Sequence, residues 1–254
     1  MDIKLWLKDS FSKNKTPEWV CPSCENGLLK IIKEQFNFEE SVLSASWHSH
    51  EDWEPEFIVY VFSGMLKCTN CKDFVSFSGK GSVDHVHYYD NTQDEYFEDY
   101  NDVFTPMYFH PTLKLFKISN NCPEEIKNEI TDSFKLFWSD LPSCANKVRT
   151  SLEMLMNHFK VKKTYIQSGK RRNLSLHKRI EEFRVQNVEI GDYLLAIKWI
   201  GNTGSHTGKL EKIDVLEAFE LLEHSLNKLF DSTESKLKKI TKEINKRKGV
   251  RKRK

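Results

Sequence analysis

The apolar positions of this 254-residue chain keep two different rhythms, and the change falls near residue 122. Beyond Cys122-Pro123-Glu124-Glu125 they recur at steps of three and four, the period of a helix with one buried face. Proline at the first helical position followed by acids suits a helix start. Ile126, Ile130, Phe134 and Phe137 define a first helix over 123–140. Ala145, Val148, Leu152, Leu155 and Phe159 define a second over 143–159. Residues 174–186 and 189–200 give a third and a fourth, and 213–230 a fifth, which can run on into the tail. The stretch Leu194–His206 (LLAIKWIGNTGSH) reads as an amphipathic helix stopped at Gly201, because glycine just past the last periodic residue enters the left-handed conformation freely. The polar turn that follows should sit at one end of a helical bundle, with Asn202 and His206 held close together. It is the first place to look for a site, although a histidine there would also serve to satisfy a backbone carbonyl or cap the fifth helix.

Before residue 122 the apolar runs are short and rich in β-branched and aromatic residues: 28–32, 41–47, 57–62 and 74–77. That pattern predicts an antiparallel β unit. Residues 1–17 form a partly helical lead-in, and 79–113, acidic, Tyr-rich and without clear period, are expected to be a long loop with one strand at most. Residues 160–173 read as a basic loop. The expected division is therefore a lead-in over 1–17, a β domain with an acidic loop over 18–113, a helical bundle over 114–232 and a basic tail over 233–254.

Charge sharpens this picture. The formal net charge is only +2, yet residues 236–254 hold 11 Lys/Arg and one Glu. The remaining chain has 28 basic and 36 acidic residues, a net of −8, and 81–113 carry seven acids with no Lys or Arg. Such segregation describes an acidic body with a basic arm. Lys236, Lys238, Lys239, Lys242, Lys246, Arg247, Lys248, Arg251, Lys252, Arg253 and Lys254 are the candidate nucleic-acid-binding residues, by contact with phosphates. The basic loop at 160–172 can add to them; the alternative is a solvated, disordered arm. The start, MDIKLWLKDSF, lacks the apolar run of a signal peptide, and no stretch reaches the length of a membrane span. A cytoplasmic protein without membrane contact is expected.

Four of the six cysteines form two C-x-x-C pairs, Cys21/Cys24 and Cys68/Cys71. Each such turn aims two thiolates at one point, and two turns complete a tetrahedral zinc site that leaves no open position, hence a structural zinc. Either pair alone would also suit a redox dithiol. Cys122 and Cys144 read as packed helix-end residues. Two H-x-H pairs, His48/His50 and His85/His87, would present both imidazoles on one face of a strand, which suits a metal or a phosphate; surface histidines beside acids are the plainer reading. Arg149 and Glu153, four apart inside an otherwise apolar helix face, form either a surface ion pair or an anchor for the polar turn.

With these residues assembled, the chain resembles the bacterial family called domain of unknown function 4145. That family couples a zinc-ribbon unit with two cysteine pairs to a helical bundle bearing Arg-x-x-x-Glu and a Gly-Asn followed by His. Here these are R149-T-S-L-E153 and G201-N-T-G-S-H206, and the resemblance covers roughly 18–230. It implies an α+β protein, a small N-terminal zinc-ribbon-like β domain followed by a five-helix bundle similar to the HEPN superfamily, whose members often homodimerise and act in toxin, RNA-cleaving and phage-defence systems. It also implies a site of His206, Asn202, Lys198, Arg149 and Glu153, with the histidine as acid or base on a 2′-hydroxyl. The basic residue before His206 is Lys198, seven positions intervening, and Asn202 lies nearer, with three between.

The expectation from all this is a zinc-stabilised module that binds nucleic acid or an effector in a bacterial anti-phage defence or restriction system. A metal-independent endoribonuclease using His206 is the alternative, and a non-catalytic adaptor for a defence-system partner protein is the third reading.

Overall fold

Two separate cores organise the chain, and the computed structural model describes residues 1–8, 10–90, 95–206, 209–231 and 233–249. One unit comprises Asp2–Lys114 with Phe137–Ser139, the other Met1, Leu115–Leu136 and the chain from Asp140 onward.

The first unit is built on an antiparallel sheet. Its strands are Leu29–Ile31 (β1), Asn37–Glu40 (β2), Val59–Cys68 (β3), Phe74–Asp90 (β4) and Glu95–His110 (β5). β3 pairs with β1 and β2 along one edge and β4 along the other, and β5 follows β4. Alternation turns Phe62 and Leu66 of β3 and Val75 and Phe77 of β4 onto one buried face, and a bulge opposite Ser78/Gly79 brings both Phe104 and Phe109 of β5 to it. The lead-in joins this core: Ile3–Trp6 (α1) is one helical turn, and Phe11 pairs its backbone with Phe104 at 3.0 and 2.8 Å. The Phe11 ring meets Trp19, Phe36, Phe62, Phe77 and Phe104 at centroid distances of 5.6–6.0 Å. The pairs with Trp19, Phe36 and Phe62 are edge-on, an arrangement that adds about 0.5–1.5 kcal/mol each beyond the area it buries.

Two expectations for this unit need correction. Residues 41–47 do not form a strand. Ser41 accepts a hydrogen bond from the Ser44 N–H at 3.2 Å and caps the short helix Val42–Ala45 (α2), after which Ser46–Ser49 makes a 3-10 turn. Val42 and Leu43 are fully outward, so the apolar run there was no sign of burial. The acidic stretch 79–113 is not a loop either: β4 and β5 run paired from Ser76↔His110 to Asp90↔Glu95. Cross-strand aromatic pairs such as Tyr88↔Phe97 and Tyr89↔Tyr96 hold it, with acids on the exposed positions. The charges hid the two-residue period.

The second unit contains Glu124–Leu136 (α3), Leu141–His158 (α4), Leu176–Arg184 (α5), Val188–His206 (α6), Lys212–Leu226 (α7) and Thr233–Arg247 (α8). Its core follows the expected stripes: Ile126, Ile130 and Phe134 from α3, Val148, Leu152 and Leu155 from α4, Leu194 and Ile197 from α6, Val215, Phe219 and Leu222 from α7. Starts are capped as propensity demands. Asp140 accepts from the Ser143 N–H at 3.0 Å, and Glu211 with Asp214 forms a capping box. The expected basic loop at 160–173 is a hairpin instead, Thr164–Gln167 (β6) paired with Lys170–Asn173 (β7). The fifth helix ends at Leu226, and a π turn over Asn227–Asp231 leads into a sixth helix, α8, where a disordered arm was the alternative. Among the described residues, no helix is long and apolar enough to cross a membrane.

The central correction concerns Gly201, which lies inside α6 rather than ending a helix before the polar turn. It is buried, and a Cβ built on it would stand 2.9 Å from Arg149 Cβ and 3.1 Å from the Ala145 carbonyl oxygen. Here glycine is a contact residue that lets α6 lie against α4. Gly201→Ala should therefore destabilise the protein by roughly 1–2 kcal/mol, overpacking outweighing alanine's better helix propensity. A urea unfolding curve with a lower midpoint and unchanged slope is the expected record.

Candidate functional site

The two cysteine pairs come from different parts of the sheet and meet at one point. Cys21 and Cys24 flank a turn before β1. Cys68 is the last residue of β3, and Cys71 lies in the turn before β4. The turns are matched: Glu25 and Lys72, each directly after the second cysteine of its pair, adopt φ values of 55° and 65°. Both are left-handed, costing non-glycine residues roughly 1–2 kcal/mol, so the surroundings must enforce them. The enforcing contacts are on hand. β1 pairs with β3 at Leu29↔Cys68, the Leu28 N–H donates to Thr69 Oγ1 at 3.0 Å, and the Thr69 N–H donates to the Leu28 carbonyl at 2.9 Å. Ser23 donates across the turns to Asp73 at 2.5 Å, holding that carboxyl below its usual range.

The sulfurs stand 3.7 Å apart for Cys21–Cys71 and 3.6 Å for Cys24–Cys68, and all four lie within 4.8 Å of one another. A metal bound tetrahedrally by thiolates at about 2.3 Å places its sulfurs roughly 3.8 Å apart, so this cluster could hold a metal ion. A disulfide needs about 2.05 Å, and all six cysteines are free. Four convergent thiols from two turns favour one ion over two separate redox dithiols. The Asn26 N–H, aided by Gly27 and Asn70, brings the Cys24 thiol down to about 6. Burial raises Cys68, but the Asn70 and Cys71 N–H groups outweigh it and leave it below its ordinary value. The Asp73 N–H favours a Cys71 thiolate, yet burial and the neighbouring sulfurs push this thiol up to about 12. Gly27 permits the convergence: a Cβ there would collide with Cys68 Sγ and stand 2.7 Å from Asn70 Cβ. Cys122 and Cys144 are buried packing residues, as expected, and burial pushes both thiols up.

In the helical unit, Arg149 and Glu153 form a half-exposed pair at 3.3 Å on α4. Lys198 on α6 is buried, its Nζ 3.2 Å from the Trp199 ring centroid; burial first, and the Arg149 charge second, hold its pKa below the usual lysine value. Arg149 thus stands beside both Gly201 and Lys198 while its pair with Glu153 stays half-exposed, and because α6 is helical through His206 the polar turn that the pair was to anchor does not form. Asn202 follows Gly201 on α6, half-buried. His206 is the last residue of α6, but its side chain lies outside the described residues, so the expected closeness of Asn202 and His206 is untested. Among the tail lysines, Lys242, Lys246, Arg247 and Lys248 are exposed. The side chains of Lys236, Lys238 and Lys239, and all of Arg251, Lys252, Arg253 and Lys254, lie outside the described residues.

Sequence reasoning missed Arg179 and Asn157. Arg179 is buried on α5 and donates to Asn157 Oδ1 at 2.8 Å and the Val161 carbonyl at 3.3 Å. The signal was available: Arg179 falls on the apolar stripe Leu176, Ile180, Phe183, where a charge needs partners. Of the histidine pairs, His48 sits in the 3-10 turn and His50 directly after it, neither on a strand, and His48 bonds Glu40 at 2.9 Å. His85 and His87 do alternate along β4.

Residues 131–247 match the family described as Domain of unknown function (DUF4145), in agreement with the resemblance carried by Arg149, Glu153 and Gly201–His206. Residues 9–109 match a second family, Domain of unknown function (DUF8608), so the cysteine cluster and both histidine pairs fall to that one. No curated protein and no solved structure matches the chain.

Protein purified without added metal should carry one ion per chain at the cysteines, by elemental analysis. Gly27→Ala should lower metal affinity by at least about tenfold, since one displaced sulfur costs more than 1.4 kcal/mol of an interaction worth about 10–16. Competition with a chelator reads that shift.

Proposed function

We propose that the protein is a zinc-stapled nucleic-acid-binding module, the metal at Cys21, Cys24, Cys68 and Cys71 being structural zinc. Four thiolates leave no position for substrate, which suits a staple and not a catalyst. The observation that carries the binding role is the β6–β7 hairpin. Lys160, Lys162, Lys163, Lys170, Arg171 and Arg172 are all exposed on it or beside it, with no acidic residue among 160–173. Tyr165 stands on the same hairpin opposite Arg172, and Ile166, opposite Arg171, is 79% exposed. Cations flanking an exposed aromatic ring are what a single-stranded nucleic acid requires, phosphates for the charges and a base for the ring. The exposed basic side of α8 supplies more cations. The setting in a defence or restriction system, a partner protein there, and homodimerisation belong to this proposal on the strength of the family resemblance; the exposed stripe Leu237, Ile240 and Ile244 on α8 is the surface a second copy would use. Fluorescence anisotropy with a labelled single-stranded RNA and DNA across a salt series tests the binding. Arg171→Ala/Arg172→Ala should flatten the slope of log affinity against log salt by about 1.4, from roughly 0.7 per phosphate on single strands. An unchanged slope and affinity would remove the hairpin from the interface.

One observation favours a second reading, cleavage of RNA. Because α6 continues through His206, positions 198, 202 and 206 fall one turn apart along one side of a single helix. An amide and an imidazole spaced in this way suit holding a phosphate and moving a proton at the adjacent ribose 2′-hydroxyl, with the buried Lys198 one turn behind them. His206→Ala should then abolish cleavage with an unaltered melting temperature, and products should end in 2′,3′-cyclic phosphate. A lowered melting temperature with intact binding and no cleavage in the parent protein would make His206 a scaffold residue.

A further inference from the structure

Away from the cysteines, the long β4–β5 hairpin carries a second cluster of metal-ligating groups. His85 and His87 lie on one face of β4, and Glu98 lies directly opposite His87 on β5. His85 Nε2 stands 3.4 Å from Glu98 Oε2, His87 Nδ1 3.5 Å from Glu98 Oε1, and one donor atom from each of the three lies within 4.8 Å of the others. These separations are long for charge-assisted hydrogen bonds, which close to about 2.7–2.9 Å. Bonds of about 2.0–2.2 Å to imidazole nitrogen and carboxylate oxygen put neighbouring donors roughly 3.3–3.6 Å apart, and here each imidazole meets its own oxygen of Glu98 at such a distance, the two-oxygen grip of a carboxylate that faces one ion between two histidines. His85 Nε2 is also buried and has no hydrogen-bond partner among the described residues.

The surroundings are those of a positioned ligand. Tyr100 stacks on the His85 ring at 4.6 Å and 12°, fixing its plane, and the two imidazoles lie 4.1 Å apart. The far nitrogen, His85 Nδ1, stands 3.3 Å from Glu56 Oε1. A carboxylate behind the non-ligating nitrogen sets the tautomer and raises the basicity of the one that faces the metal. Glu56 comes from the 3-10 turn Pro55–Phe57, so the second carboxylate is delivered from outside the hairpin.

We propose that His85, His87 and Glu98 bind a divalent transition cation of the zinc class, with Glu56 as a positioning residue. Two imidazoles and a carboxylate are borderline-soft donors suited to such ions and not to calcium or magnesium. Three protein ligands leave at least one coordination position, and His87 and Glu98 are more than half exposed, at 60% and 62% of the side chain. The bound ion therefore keeps water or takes an anionic ligand at that position. It is exchangeable with solvent in a way the cysteine-bound ion is not. The inference stands independently of nucleic-acid binding.

The test is equilibrium dialysis of the full chain against Zn2+, with metal counted by elemental analysis. Two ions per chain are expected in the parent protein and one in His87→Ala and in Glu98→Gln, both exposed changes that leave the core alone. Glu56→Gln should weaken the second ion by roughly 10–100-fold. His48→Ala/His50→Ala should keep both ions. Replacement of the second ion by Co2+ should give weak visible bands without sulfur charge transfer, lost in the His87 variant. One ion per chain in the parent protein overturns the proposal, as does a second ion retained by both the His87 and the Glu98 variants.

Discussion

Four sulfur atoms held 3.6–3.7 Å from their nearest neighbours impose the constraint on which the N-terminal unit depends. As thiolates without a cation, a pair at this distance would repel by about 4 kcal/mol at an effective dielectric of 20. As thiols, they would have to hold their protons against N–H groups that favour the charged form at Cys24 and Cys68. Neither state accounts for two turns that each take up a left-handed residue to bring the sulfurs together. A cation at their centre would relieve the repulsion and tie the start of β1 to the junction of β3 and β4. From that junction the sheet grows outward: β3 carries β1 and β2 on one edge, and the hairpin of β4 and β5 extends the other.

The helical unit rests on a different kind of constraint, the close passage of α6 over α4 at Gly201. Around that crossing charged groups gather, Lys198 and Arg179 buried and Arg149 with Glu153 half-exposed. Arg149 pairs with Glu153 on α4, and Arg179 on α5 reaches Asn157 on the same helix. Lys198 lies buried beside Arg149 with its charge over an indole ring, which recovers part of what desolvation costs. Such groups are expensive as pure scaffold, because hydrophobic residues of equal volume would pack there without loss.

What could be read from the chain was whatever local spacing determines. The heptad-like steps of α3, α4 and α7 and the strands around the cysteines followed from periodicity, and the convergence of four sulfurs followed from two short turns. Failures came where one residue type serves two purposes. Glycine ends helices and also lets helices touch, and at Gly201 only the neighbour across the interface, Arg149, decides which. Ser41 made a strand-like run into a capped helix with one side-chain hydrogen bond. Along β4 and β5 a bulge opposite Ser78/Gly79 breaks the two-residue period, and Tyr, His, Asp and Glu on the outward positions left little apolar contrast to reveal it elsewhere. Arg179 was hidden for the converse reason, a polar residue on an apolar stripe whose partners, Asn157 and Val161, lie about 20 residues away.

That same outward face of the hairpin separates the unit's two donor clusters by chemistry and by distance. His85 lies eleven residues into β4 from its start at Phe74, a path of roughly 36 Å at about 3.3 Å per residue, whereas Cys71 precedes the strand. No ion at one cluster can share a ligand with the other. The cysteine cluster is soft and, with four ligands from two turns, would close around an ion, Cys21 and Cys68 buried and Cys71 at the surface. The imidazole–carboxylate cluster is open and borne on strands that pair without it, through backbone bonds and stacked aromatics. An ion there can come and go while the fold stays intact. With both clusters filled, an ion at the cysteines would hold the base of the sheet, and one at the outer hairpin would exchange without disturbing it.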